Sequence, residues 1–174
     1  VQQVVSQAES LSEDVADGTP VTQFVKAIGG EVVPADSLSD ADFLQVDLYR
    51  TKIDELYGSV TSEGKRGPVR ALVSPDGTIL EMSMELLPIE YDIVGTYPLL
   101  PTATAWQLLA NNQGYIANTG ELDEAVVRNV TLAYYEPNEE FAYYRPVYVF
   151  EGDKGFIGYV EAVDPVWLTA EGTT

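Results

Sequence analysis

The chain has 174 residues, 45% of them hydrophobic and 21% charged, with 14 glycines and 10 prolines spread between apolar runs. That is length enough for one sizeable core or two small ones, and the composition is that of a globular protein, not a disordered one. Nine basic residues against 28 acidic ones leave a net charge of −19, a field that repels phosphate backbones and anionic lipid surfaces and so excludes nucleic-acid binding and polybasic membrane attachment.

The acidity suits solubility, adaptation to high salt, or attraction of cations and basic partners. Cysteine and histidine are both absent. Their absence removes disulfides, thiolate metal sites, cysteine nucleophiles, Ser-His-Asp triads, HExxH zinc sites and histidine-bound iron. No run approaches the roughly 18 apolar residues of a membrane span, and the opening residues show no basic-then-apolar leader. Any membrane attachment is expected through a tether absent from this chain.

Residues 1–19 read as a polar lead-in helix or tether. A first repeat follows over residues 20–88. It opens on a predicted helix from Val21 to Ala27, started by Thr19-Pro20, with Val21, Phe24, Val25 and Ile28 at helical spacing and Gly29-Gly30 as its stop. Next comes a strand, in which Leu44, Val46 and Leu48 alternate with Gln45 and Asp47. A hairpin closes the repeat, rising from Val69 to Val73, turning at Pro75-Asp76-Gly77 and returning through Ile79 to Leu87. Over residues 89–101, Ile89, Tyr91 and Ile93 alternate with Glu90 and Asp92 as a connecting strand.

The second repeat, residues 102–168, runs in the same order. Thr102 leads a helix carrying Ala105, Trp106, Leu108 and Leu109, stopped between Asn111 and Gly114. A strand passes through Val130 and Leu132 into Tyr134, and a hairpin turns at Gly152-Asp153-Lys154-Gly155. Residues 169–174 read as a disordered tail.

An internal duplication ties these halves together. Ser37-Leu-Ser-Asp-Ala41 matches Glu121-Leu-Asp-Glu-Ala125 at an offset of about 84, which also carries Val46 onto Val130 and Leu48 onto Leu132. Beyond one shortened loop the offset becomes about 78, carrying Pro68-Val69 onto Pro146-Val147, Gly77 onto Gly155 and Ile79 onto Ile157. The expected fold class is therefore α+β: a tandem duplication of a unit with one helix packed on a three- to four-stranded antiparallel sheet.

A helix followed by an antiparallel meander, given twice, resembles the PepSY-type and YycH/YycI-type extracytoplasmic domains of bacteria. The strings that carry the likeness are Tyr97-Pro98, Ala105-Trp106, Leu132-Ala-Tyr-Tyr135, Pro146-Val-Tyr-Val-Phe-Glu-Gly152 and Tyr159-Val-Glu-Ala-Val163. Similar strings occur in membrane-anchored proteins of the bacterial candidate phyla. The resemblance implies a secreted or tethered extracytoplasmic domain that binds a protein partner in the cell envelope or restrains a kinase or peptidase, with no cofactor or catalysis of its own.

Candidate residues follow from side-chain chemistry. Tyr134, Tyr135, Tyr143, Tyr144 and Tyr148 surround one strand and its loop with Arg145, the aromatic and arginine mixture favoured at partner-binding surfaces. The competing reading packs these rings across strands. Asp36, Asp40 and Asp42, and Glu121, Asp123 and Glu124 in the second repeat, are oxygen ligands for a hard cation, although neither group has EF-hand spacing. They support an alternative as a cation-stabilised structural or surface-layer module. A carboxylate-pair hydrolase is the other alternative, and 28 acids place some pair at any chosen separation. Ser62-Glu-Gly-Lys65 spells S-x-x-K without its companion motifs, and Asp17-Gly-Thr19 and Asp76-Gly-Thr78 read as turns.

Overall fold

The computed structural model describes residues 15, 20–50, 57–64, 67–87, 89, 95–120, 124–136 and 143–168. The fold is mixed α+β and mainly sheet. Two sheets of five strands each accompany a single helix longer than four residues among the described elements. Contacts divide the chain into unit 1, Val1–Gly58 with Arg66–Pro88, and unit 2, Ser59–Lys65 with Ile89–Thr174.

Unit 1 corrects the first expected helix. Pro20–Ile28 forms a strand, β1, and the chain turns directly into β2, Glu31–Pro34. Val21, Thr22, Val25 and Ile28 are β-branched, which restricts χ1 in a helix and suits a pleated surface. Gly29 and Gly30 have φ of 64° and 95°, the left-handed pair that a two-residue hairpin requires, and Ile28 pairs with Glu31 across it. The spacing that suggested a helix is shared between two strand faces, with Val21 and Val25 on one and Phe24 and Ile28 on the other.

β3 (Phe43–Leu48) lies beside β1, and the first sheet is completed by β5 (Val69–Val73) and β6 (Ile79–Met84), all antiparallel in the order β2-β1-β3-β5-β6. Leu44, Val46 and Leu48 face Val73, Ala71 and Val69 across the ladder. Val46, Leu48 and Val69 form the core of this unit with Val15, a helical residue wholly buried against them. On the reverse face Asp47, 2% exposed, accepts hydrogen bonds from Gln45 Nε2 at 2.6 Å and from the Gly67 amide at 3.0 Å. A buried carboxylate without such donors would be strongly destabilising.

Unit 2 holds the second sheet, ordered β4-β8-β9-β10-β7. Its strands are β4 (Ser59–Thr61), β7 (Tyr115–Asn118), β8 (Val127–Glu136), β9 (Arg145–Gly152) and β10 (Ile157–Glu161). Five strands, with β4 parallel to β8 through Ser59 opposite Tyr134, replace the smaller all-antiparallel sheet expected. Here the expected helix is present as α1, Thr102–Ala110. It stops where Asn112 takes φ 57° and Gln113 donates back to the Leu108 carbonyl at 2.9 Å, an αL cap made by asparagine. Ala105 and Leu109, one turn apart, press onto Phe150, Phe156 and Val160, and Gly158 leaves room for the Leu109 methyls. A single turn, α2 (Pro165–Leu168), follows.

The two sheets share a three-stranded meander, β3-β5-β6 in one and β8-β9-β10 in the other. Their second hairpins agree closely at the offset of 78. Ser74 donates to the Thr78 carbonyl at 2.9 Å and Gly152 to the Phe156 carbonyl at 2.9 Å, while Gly77 and Gly155 have φ of 88° and 83°. Val73 pairs with Ile79 as Glu151 pairs with Ile157. The flanking elements differ: a β1–β2 hairpin in unit 1, and α1 with β7 on the β10 edge in unit 2.

Candidate functional site

The alternation of β8, β9 and β10 gives the unit 2 sheet two faces, and both carry apolar residues. Phe150 and Val160 sit on the α1 side. Ala133, Val147, Val149, Ile157 and Tyr159 form a second cluster on the reverse side, with Val60, Ala117 and Tyr135 packed against it. Strands buried on both faces read as apolar runs, as Val147 to Phe150 and Phe156 to Val160 do.

The sheet curls to close the reverse side. Tyr115, at the start of β7, donates its hydroxyl to the carbonyl of Ser62, just beyond β4, at 3.1 Å. The two edge strands are thus drawn together over the Tyr159 cluster, where Tyr115 stacks on Tyr159 at 6.1 Å and Tyr135 meets it at 6.2 Å. Tyr159 is 3% exposed and its hydroxyl has no hydrogen-bond partner among the described residues. Burial, then the neighbouring Tyr135, Tyr115 and Glu151, push its pKa far above the ordinary phenol value.

The α1 side stays partly open. α1 lies over β10 and leaves a strip above β8, where Thr102, Ala103, Trp106, Ala125, Val126, Val127, Val130 and Phe150 line a groove of about 490 Å³. Trp106 is 43% exposed and tilts against Phe150 at 5.9 Å; Val126 and Val130 are 48% and 36% exposed. Among the described residues, no titratable side chain lines this groove. Its chemistry is therefore apolar contact with the Trp106 indole N–H and the Thr102 hydroxyl as polar groups, not proton transfer.

The sheet separates the tyrosines expected to bind a partner. Tyr134 and Tyr148 fall on the α1 side, where the Tyr148 hydroxyl donates to the Leu100 carbonyl at 2.7 Å. Tyr135 and Arg145 pair across the ladder on the reverse side, and Arg145 reaches Glu161 at 3.1 Å. Tyr144 is half-buried, and Tyr143 is 52% exposed just before β9. Sequence reasoning counted Trp106 among the apolar residues of the helix and overlooked the groove. The available signal was the helical angle, since Trp106 stands about 100° round from Ala105 and about 60° from Leu109, at the margin of their stripe.

Of the acidic candidates, Asp40 and Asp42 have hydrogen-bond partners within unit 1. Asp40 accepts from Lys26 at 2.5 Å, which holds the Asp40 carboxyl below its ordinary pKa and raises that of Lys26. Asp42 accepts from the Ala27 amide at 3.0 Å, and Asp36 is exposed. Glu124 is exposed, while Glu121 and Asp123 lie outside the described residues. Among the described residues no group of three or more acids is placed to hold a metal ion. Asp76 closes its turn by accepting from the Ser74 hydroxyl and the Thr78 amide; Asp17 and Lys65 lie outside the described residues. Among the described residues no helix is long and apolar enough to cross a membrane.

No known protein family, no curated protein and no solved structure matches the chain.

Proposed function

We propose that the chain is a non-catalytic interaction or regulatory domain of a membrane-anchored bacterial protein, acting outside the cytoplasm and binding a protein partner of the cell envelope through unit 2. The observation that carries this reading is the Trp106 groove: exposed tryptophan and valine side chains beside the unit 2 sheet. Apolar surface of this kind marks interaction sites, and tryptophan is the residue most enriched among binding hot spots. The PepSY-type likeness suggests the setting, and the lack of acids among the described residues lining the groove favours binding there over carboxylate hydrolysis. Among the described residues, the carboxylate pKa shifts that are resolved, at Asp40, Asp76 and Asp153, are downward, opposite to a general acid.

Duplication belongs to the same proposal. The matching hairpin bonds and glycine conformations support one ancestral meander copied once, with the helical or hairpin elements replaced afterwards.

The test is a cross-linking pull-down from native envelopes with wild-type and Trp106→Ala baits of equal melting temperature. One envelope protein that the wild type recovers and the variant loses by about tenfold supports the reading, since hot-spot truncation costs about 2 kcal/mol or more. Equal recovery by both baits, or none by the wild type, overturns it.

A further inference from the structure

The outer edge of β8 adjoins the groove and, among the described residues, is open. β4 pairs only with Tyr134–Glu136, so among the described residues β8 has a strand partner over 127–133 on the β9 side alone. The direction of its backbone groups follows from β9. There the Pro146 carbonyl accepts from Ala162 and the Gly152 amide donates to Phe156, so even-numbered β9 residues bond toward β10. Odd-numbered β9 residues therefore bond toward β8, where Val149 faces Thr131 and Glu151 faces Asn129. The N–H and C=O groups of Val130 and Leu132 consequently point away from the sheet. The Val130 side chain lines the groove beside them.

Exposed strand edges are ordinarily blunted by charges, prolines or bulges. Arg128 does this at the start of β8, where the register shifts and the guanidinium holds Asp153 through two bonds of 2.9 and 2.7 Å. From Asn129 to Ala133 there is no charge, proline or glycine, and the run is exposed at Asn129, Val130 and Thr131. An undefended edge beside an apolar groove has the two parts needed to add a strand: backbone groups for affinity and a pocket for alternate side chains.

Charge selects the occupant. A second copy would bring a chain of −19 against another of −19. Unit 2 alone carries 14 Asp and Glu against four Lys and Arg. Such a surface attracts a basic segment and repels its own kind. Building on the interaction reading above, we infer that the β8 edge takes an extended, lysine- or arginine-rich segment of a partner protein as a sixth strand, with an apolar side chain of that segment seated against Trp106.

The probe is an acetylated and amidated peptide of about seven residues alternating lysine and leucine, with a twin methylated on alternate backbone nitrogens. The twin keeps charge and side chains but loses the donors needed to join a sheet. Anisotropy titrations run in about 0.15 M salt, where exposed charges are screened beyond about 8 Å. The expected result is binding about tenfold tighter for the unmethylated peptide, a similar loss with Val130→Pro, and loss with Trp106→Ala. Equal binding of the twins would reduce the effect to charge adhesion and overturn the edge assignment, as would no binding at all. Sedimentation as a dimer that Val130→Pro dissolves would make the occupant a second copy and overturn the basic partner. If Val130→Pro does not fold, the methylated twin decides alone. Peptide failure alongside a Trp106-dependent envelope partner overturns the strand addition and leaves the interaction reading standing.

Discussion

Tyr159 sits between Tyr115 and Tyr135 with a buried hydroxyl that meets no acceptor among the described residues. An unmet buried hydroxyl costs about 1–3 kcal/mol, whereas a phenylalanine of the same shape has nothing to leave unsatisfied. Tyr159→Phe should therefore be neutral or stabilising by up to about 1 kcal/mol in urea unfolding; a clear loss would show that the hydroxyl has a partner. The same residue sets an alkaline dependence. Its folded pKa lies above the ordinary value of 10.0, so past that pH the unfolded chain releases a proton that the folded one keeps. Fewer protons on the unfolded state mean stability falls as pH rises, by at most about 1.4 kcal/mol per pH unit from this group. The wild-type urea midpoint should drop between about pH 10 and 11 more steeply than that of Tyr159→Phe.

At the scale of elements, β1 and its hairpin decide how the first unit is built. Gly29 and Gly30 have open space where a Cβ would stand, so substitution there tests backbone conformation alone. Gly30→Ala, at φ 95°, is expected to cost about 1 kcal/mol, while Gly29→Asn, at φ 64°, should stay within about 0.5 kcal/mol because asparagine accepts the αL region. Two neutral results would contradict the hairpin. This is also where the sequence misled. Valines and phenylalanine at positions 21, 24 and 25 satisfy a helical period, yet the β-branched content and paired glycines belong to a strand and turn. Strands with clean alternation, such as Leu44, Val46 and Leu48, were legible, as was α1, whose Ala, Leu and Gln content agrees with its period. The groove was not legible, because it depends on where α1 lies across the sheet. The tyrosine cluster dispersed for a related reason: neighbours such as Tyr134 and Tyr135 alternate between the two faces as any strand dictates, but the apolar packing on both faces depends on the tertiary fold.

For the whole molecule, charge and connectivity act together. Acids outnumber bases 28 to 9, so like-charge repulsion outweighs exposed pairs such as Lys26–Asp40 and Arg128–Asp153. Raising salt from about 0.01 to 1 M shrinks the screening length from about 30 to 3 Å and should raise the urea midpoint; a fall would mean that ion pairs dominate. Connectivity gives a stricter test. Ser59–Lys65 belongs to unit 2 although the chain on both sides of it belongs to unit 1. That segment supplies β4, the Ser62 carbonyl that receives the Tyr115 hydroxyl, and Gly64, which backs onto Ile157. A fragment of residues 89–174 keeps the other four strands and α1 but loses this closure over Tyr159. It is expected to bind a hydrophobic dye and to exchange the amides of Ala133 and Val147 about tenfold faster than the full chain, which corresponds to about 1.4 kcal/mol of lost local stability. Adding a peptide of residues 57–67 in trans should restore protection. Full protection in the fragment alone would show that the sheet closes without β4, and the curled edge would then be a consequence of the core instead of its cover.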